Sequence, residues 1–203
     1  GMQIATEVAN VKHVYECLKN GVDIIWIGAR TTANPFAMQD IADAVKGVDI
    51  PILVKNPVNS DVDLWMGALE RLNKAGITKL GAIHRGFSVY ESKMYRNEPI
   101  WQIPIELKRR IPQLPIICDP SHITGDSKMI ASVSQKALDL DFDGLMIETH
   151  INPSVAWSDK AQQVTPAEFK IIKDNLVLRN SENHDNVFET QLNALRSEID
   201  HVD

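Results

Sequence analysis

Pro115-Ile116-Ile117-Cys118-Asp119-Pro120-Ser121-His122-Ile123-Thr124-Gly125 reads as a short apolar strand that stops at an Asp-Pro step and hands a serine and a histidine to a glycine-containing loop. The strand is apolar on both faces, as expected where both are covered. A histidine just past the carboxyl end of a buried parallel strand lies where α/β folds place their chemistry. The arrangement recurs on either side. Predicted strands at 2–8, 23–28, 50–54, 79–83 and 143–147 accompany the one at 115–118, and predicted helices at 10–19, 35–45, 61–75, 104–110 and 128–140 separate them.

Repeats of about 20–35 residues are those of βα units. Near-continuous apolar strands predict a parallel sheet covered on both faces. An open doubly wound sheet and part of a (β/α)8 barrel both fit. No Gly-x-Gly-x-x-Gly follows a strand, which disfavours the dinucleotide-binding form. A full barrel needs eight units in about 250 residues. Six units in 203 residues therefore predict an α/β fold of the (β/α)8 TIM-barrel kind, incomplete by two units. Thr165-Pro166-Ala167-Glu168 is a capping box opening a helix that runs to about 178. Residues 179–187 read as a polar linker, and a last helix begins at 188, with Leu192, Leu195, Ile199 and Val202 on one face.

A net charge of −6 and a pI near 5.5 argue against nucleic acid or an anionic membrane as the main partner, so any basic site must be local. Cys17 and Cys118 offer neither zinc spacing nor a disulfide framework, and Cys118, inside a predicted core strand, reads as a buried thiol. No stretch approaches the roughly 18 apolar residues of a membrane span. A cytoplasmic protein is expected.

The strand ends carry, in order, Glu7, Arg30, Lys55, Arg85, Asp119 with His122, and Glu148 with His150. One charge at a strand end is an ordinary solvated terminus. Six in succession predict a shared polar pocket at one rim of a barrel. Arg30, Lys55 and Arg85 would converge on a phosphate or carboxylate, unless each is neutralised by an acid such as Glu7. His122, Glu148 and Asp159 offer one imidazole and two carboxylates, a set that suits Mn²⁺, Fe²⁺, Co²⁺ or Zn²⁺ or else plain acid–base work. Among the other histidines, only His84 and His150 adjoin strand ends and could line the pocket.

Seven segments together carry a family resemblance: Ile4-Ala5-Thr6-Glu7-Val8, Trp26-Ile27-Gly28-Ala29-Arg30-Thr31-Thr32, Leu53-Val54-Lys55-Asn56-Pro57, Ile83-His84-Arg85-Gly86, Cys118-Asp119-Pro120-Ser121-His122, Asp143-Gly144-Leu145-Met146-Ile147-Glu148-Thr149-His150 and Trp157-Ser158-Asp159-Lys160-Ala161-Gln162-Gln163. In this order, over roughly residues 2–178, they resemble the 3-deoxy-7-phosphoheptulonate (DAHP) synthases, in particular the bacterial branch fused to a chorismate mutase. The resemblance implies a metal-dependent aldol-type condensation of phosphoenolpyruvate with erythrose 4-phosphate, with release of phosphate. It implies that Glu7, Ala29, Arg30, Lys55 and Arg85 hold phosphoenolpyruvate, that His122, Glu148 and Asp159 hold the divalent metal, and that Lys55 and His122 are catalytic. A homo-oligomer is expected.

Two family segments have no counterpart here: a Gly-Pro-Cys-Ser segment that supplies a fourth metal ligand, and a Lys-Pro-Arg-Thr segment that binds both substrates. Residues 192–203 resemble the start of the first helix of an all-helical chorismate mutase, in which Arg196 would match an active-site arginine. The chain is thus expected to be an internal piece of a bifunctional protein, divided into a partial barrel (1–178), a linker (179–187) and the start of the mutase helix (188–203), and weakly active or inactive alone. Two other readings compete. One is a related phosphoenolpyruvate-dependent synthase of the 3-deoxy-octulosonate phosphate or sialic acid type. The other is a non-catalytic regulatory or association module.

Overall fold

Asn10, Asp61 and Thr165 each begin a helix in the same way, with a side-chain oxygen that accepts the backbone N–H three residues ahead, from His13, Leu64 and Glu168 respectively. The Glu168 carboxylate also accepts the Thr165 N–H, completing the predicted capping box. Such local signals set the elements of the computed structural model, which describes residues 1–92, 94–178 and 186–200. In chain order these are β1 (Ala5–Val8), α1 (Val11–Lys19), β2 (Ile24–Ile27), α2 (Ala29–Thr32), α3 (Pro35–Ala44), β3 (Ile52–Lys55), α4 (Val62–Lys74), β4 (Leu80–His84), α5 (Gln102–Arg110), β5 (Ile116–Cys118), α6 (Pro120–Thr124), α7 (Ile130–Asp139), β6 (Gly144–Leu145), α8 (Pro166–Asn175) and α9 (Asn186–Asp200).

The six strands form one parallel sheet in the order β1-β2-β3-β4-β5-β6. A doubly wound sheet reverses its strand order at a switch point. This one does not, so the barrel is the form realised, and it is left open: β1 and β6 are its two edges. No helix among the described residues is long and apolar enough to cross a membrane.

Strand side chains alternate between the two faces. Val8, Ile27, Val54, Ala82 and Ile116 stand side by side across the register and are fully buried beneath the helices, with Met38, Ile41, Trp65, Leu69, Leu72 and Leu107 packed in the same core. Trp65 pins α4 to β3 by donating its indole N–H to the Val54 carbonyl at 3.1 Å. Cys17 and Cys118 are both buried free thiols. The other face carries Glu7, Trp26, Leu53, Lys55, Ile83, Ile117 and Asp119.

Several expectations need correction. The sheet is not covered on both faces: Glu7 is exposed, and Trp26, Leu53 and Ile117 are only half-buried on the side away from the helices. A barrel covers that side with its own remaining strands, and six strands do not close. The segment after β5 is not a loop but the one-turn helix α6, because Asp119 caps it by accepting the His122 N–H at 3.0 Å and Pro120 supplies a preset first residue. Gly125, left-handed at φ 66°, ends it. The helix expected at 128–140 opens as a 3-10 turn at Ser127–Met129, and the one expected to reach 178 stops at Asn175. Of the expected linker, residues 179–185 lie outside the described residues, and the last two positions already belong to α9. Residues 201–203, with Val202, also lie outside them.

Candidate active site

The carboxyl ends of β3, β5 and β6 bring a lysine, an aspartate and a glutamate to the open side. Lys55, the last residue of β3, is 5% exposed and donates to Asp119 Oδ2 at 3.0 Å; Asp119, just past β5, is 1% exposed. A charge buried to this degree is tolerated only with a partner, and each satisfies the other. The same Asp119 Oδ2 lies 2.8 Å from His122 Nδ1, which is in turn 3.3 Å from Glu148 Oε1, yet neither approach to that buried nitrogen has hydrogen-bond geometry. Burial alone would push the Asp119 carboxyl up. The His122 ring and N–H and the Lys55 charge outweigh it and hold the carboxyl below its ordinary range. Burial raises Glu148, against the pull of His122 and of the Gln162 amide.

His122, Glu148 and Asp159 each present a donor atom, and these atoms lie within 4.8 Å of one another. One nitrogen and two carboxylate oxygens at that separation, with a buried imidazole nitrogen left without a hydrogen bond, fit a divalent cation. Asp159 reaches the cluster from a left-handed backbone (φ 49°, ψ 36°), a conformation that a short polar side chain tolerates better than most.

The anion-attracting half stands beside it. The Arg85 N–H donates to Asn56 Oδ1 at 2.7 Å, and Arg85 Nη1 donates to Asn97 Oδ1 at 2.7 Å. Burial lowers Arg85, Arg96 and Arg30 push it the same way, and Asp119 and Glu7 oppose them, so all four charges lie within its electrostatic reach. Asn97 Nδ2 donates to the His122 carbonyl at 2.7 Å, which ties the two halves together. Gly86 makes room for this, since a Cβ there would meet the Asn97 carbonyl oxygen at 2.6 Å in a backbone already at φ 78°.

The alternative of pairing with a neighbouring acid holds for Lys55, through Asp119, while Glu7 is engaged elsewhere. Glu7 Oε2 accepts the Trp26 indole N–H at 3.0 Å, and Gly28 leaves the space that its carboxylate fills. Ala29 and Arg30 open α2 directly after β2, with Arg30 exposed toward solvent. His84 is not at the pocket. It lies on the helix-covered face beside Cys118, boxed by Phe87, Trp101 and Phe142 at ring distances of 5.3–6.0 Å, and burial pushes its pKa down to about 3. His150 Nδ1 accepts the Asn152 N–H at 2.9 Å. Arg196 lies in α9 and is exposed. Asn56, Arg96, Asn97 and Gln162 were not singled out from the sequence, because their partners are distant in the chain. A depression of about 430 Å³ at the amino ends of β3 and β4, lined by residues 46–50 and 75–79, carries no comparable cluster.

An incomplete parallel barrel with cations and a carboxylate–imidazole cluster at its carboxyl rim defines the class: a (β/α)8-barrel protein of the kind whose sites are built from the loops after the strands. The chain belongs to the DAHP synthetase I family, whose model matches residues 1–182. It is 28% identical over 174 residues to a phospho-2-dehydro-3-deoxyheptonate aldolase of Thermotoga maritima, covering 86% of this chain and 48% of that protein. A shorter stretch of 74 residues, 31% of this chain and 28% of the relative, is 31% identical to a 2-dehydro-3-deoxyphosphooctonate aldolase of Wolinella succinogenes. A truncated 3-deoxy-D-arabino-heptulosonate 7-phosphate synthase from Thermotoga maritima superposes with a TM-score of 0.74 at 26% identity, over 86% of this chain and 64% of that one. The DAHP synthase structure from the same organism superposes with a TM-score of 0.75 at 26% identity, over 87% and 50%. The chain thus spans about half the length of the curated heptonate relative.

Proposed function

We propose that this chain carries the greater part of a DAHP synthase active site and that the protein condenses phosphoenolpyruvate with erythrose 4-phosphate. The observation that supports this best is the continuous run of contacts from Lys55 through Asp119 and His122 to Glu148, which sets an anion-binding cation beside a metal-binding cluster. Arg30, Lys55 and Arg85, with Glu7 and Ala29 alongside, hold the phosphate and carboxylate of phosphoenolpyruvate. Lys55 meets them as a point charge and the arginines as forked donors. Clamping the enol donor at one place turns a bimolecular encounter into a near-attack arrangement. His122, Glu148 and Asp159 hold a divalent ion, Mn²⁺, Fe²⁺, Co²⁺ or Zn²⁺, which when bound supplies Lewis-acid polarisation of the sugar aldehyde. Asp119 pairs with Lys55 and holds it in place while the site is free of substrate.

The domain reading is part of the same proposal: residues 1–178 form the barrel portion, 179–187 a linker, and 188–203 the start of a chorismate-mutase-type helix containing Arg196. The protein is read as cytoplasmic and as a homo-oligomer. Because the sheet has two open edges, the 203 residues alone should bind phosphoenolpyruvate weakly and turn over slowly or not at all. Phosphate release from phosphoenolpyruvate with a panel of aldehydes tests the reading on the natural full-length protein. Turnover with erythrose 4-phosphate is expected, and turnover only with arabinose 5-phosphate would favour the octulosonate type, to which the 74-residue likeness also points.

A further inference from the structure

Residues 96 and 97 form a short strap laid against α6, the helix that carries His122. The Arg96 N–H donates to the Thr124 carbonyl at 3.3 Å and the Asn97 N–H to the Ile123 carbonyl at 3.1 Å. Gly125 permits this approach, since a Cβ there would come within 2.7 Å of Arg96 Cβ. From this strap Arg96 Nη1 donates to Asp159 Oδ1 at 2.7 Å and also to Gln162 Oε1. The other end of the Gln162 amide, Nε2, donates to Glu148 Oε1 at 3.0 Å, and the Gln162 residue is only 1% exposed.

The chain Asp159–Arg96–Gln162–Glu148 therefore joins two carboxylates that like charge would otherwise drive apart. We propose that Arg96 and Gln162 form a positioning bracket that holds Glu148 and Asp159 at metal-binding separation, with the strap fixing the bracket to the helix that supplies the third donor, His122. Neither bracket residue needs to touch the ion. Arg96 Nη1 engages one oxygen of Asp159 and Gln162 one oxygen of Glu148, which leaves the second oxygen of each carboxylate outside the bracket. Carboxylates that bind metals are characteristically held by such outer hydrogen bonds, and losing one weakens binding by about 10–100-fold. The inference rests on the metal reading given above.

The sign of the effect separates this role from a simple charge effect. A cation beside a metal site repels the incoming ion, so on charge alone removing Arg96 would strengthen binding. Binding of Mn²⁺ to the 203-residue chain, followed by loss of the free-ion electron paramagnetic resonance signal, is to be compared for the wild type and for Arg96→Gln, Arg96→Lys and Gln162→Leu. The bracket predicts about 10–100-fold weaker binding for Arg96→Gln. It predicts a comparable loss for Gln162→Leu and an intermediate value for Arg96→Lys, with the melting temperature of the Arg96 variants unchanged. Arg96 is partly exposed, so its variants leave no cavity and remain decisive if Gln162→Leu fails to fold. Arg96→Gln binding Mn²⁺ as tightly as the wild type, or more tightly, overturns the bracket while leaving the metal site standing. No binding by the wild type overturns the metal site and the bracket together.

Discussion

The two faces of the sheet are built to opposite specifications. The face beneath the helices is a continuous apolar layer: Val8, Ile27, Val54, Ala82 and Ile116 in register, sealed by α1, α3, α4, α5 and α7. The other face has apolar residues near its middle but charges along its carboxyl rim, and it is half open. Apolar burial stabilises the first, with directional contacts as few as that of Trp65 to Val54. The second is held by a few long-range polar contacts: Lys55 with Asp119, Asn97 with Arg85 and His122, and Arg96 with Asp159. One face makes the fold stable and the other assembles the site, so substitutions on the two should separate stability from binding.

The largest loss of stability is expected on the covered face. Trp65→Ala removes a fully buried ring and the hydrogen bond to Val54, and should cost about 5 kcal/mol in urea unfolding. A cost near 1 kcal/mol would mean that the helix layer is loosely packed.

Asp119→Ala comes next. It leaves the Lys55 ammonium buried without a partner, for a loss of about 3 kcal/mol. The double variant Lys55→Met/Asp119→Leu should recover most of that stability yet show no binding of phosphoenolpyruvate by calorimetry. If the double variant still binds it, Lys55 is not part of the anion site.

An acid titration sharpens the contrast further, because the covered face should not accept charge. His84 is buried neutral, with its pKa held at about 3 by burial, below its ordinary value of 6.5. Its contribution is complete above pH 6.5, where the unfolded chain is also neutral. It falls as the pH drops from there toward 3, since only the unfolded state then takes up the proton, at about 1.4 kcal/mol per pH unit. His84→Phe should remove that part of the acid sensitivity, read as the difference between the two unfolding curves at pH 7 and pH 4.5. Parallel curves would contradict the buried neutral imidazole.

The smallest effect is expected from Trp26→Ala on the open face. The ring is half-buried there, so about 1 kcal/mol is expected despite the lost contact with Glu7. A cost equal to that of Trp65→Ala would show that the open face is covered in solution.

The sequence revealed the strand–helix order well, because the apolar runs and the caps at Asn10, Asp61 and Thr165 are local signals. It also singled out His122, Glu148 and Asp159, since each follows or lies beyond a strand end. The apolar runs alone misjudged the second face of the sheet, which the count of six units out of eight leaves uncovered. An apolar run such as 115–118 records what the chain would bury, not whether other strands are there to cover it. His84, which adjoins a strand end and could have lined the pocket, lies on the helix side instead, as period-two alternation with Ile83, the register neighbour of Lys55, requires. Arg96 and Asn97 carry no local pattern, and Gln162 stands in the 157–163 segment with nothing there to mark its partners. Arg96 meets Asp159 and Gln162 at separations of 63 and 66 residues, and such contacts are visible only once the chain has folded.

A crystal of the chain soaked with Mn²⁺ and phosphoenolpyruvate, with anomalous scattering recorded at the manganese edge, tests the shared basin most directly. One strong peak is expected at coordination distance from His122, Glu148 and Asp159, with the phosphate and carboxylate of the ligand among Arg30, Lys55 and Arg85. A peak on another face of the sheet, or a ligand bound away from those three cations, would contradict a shared basin.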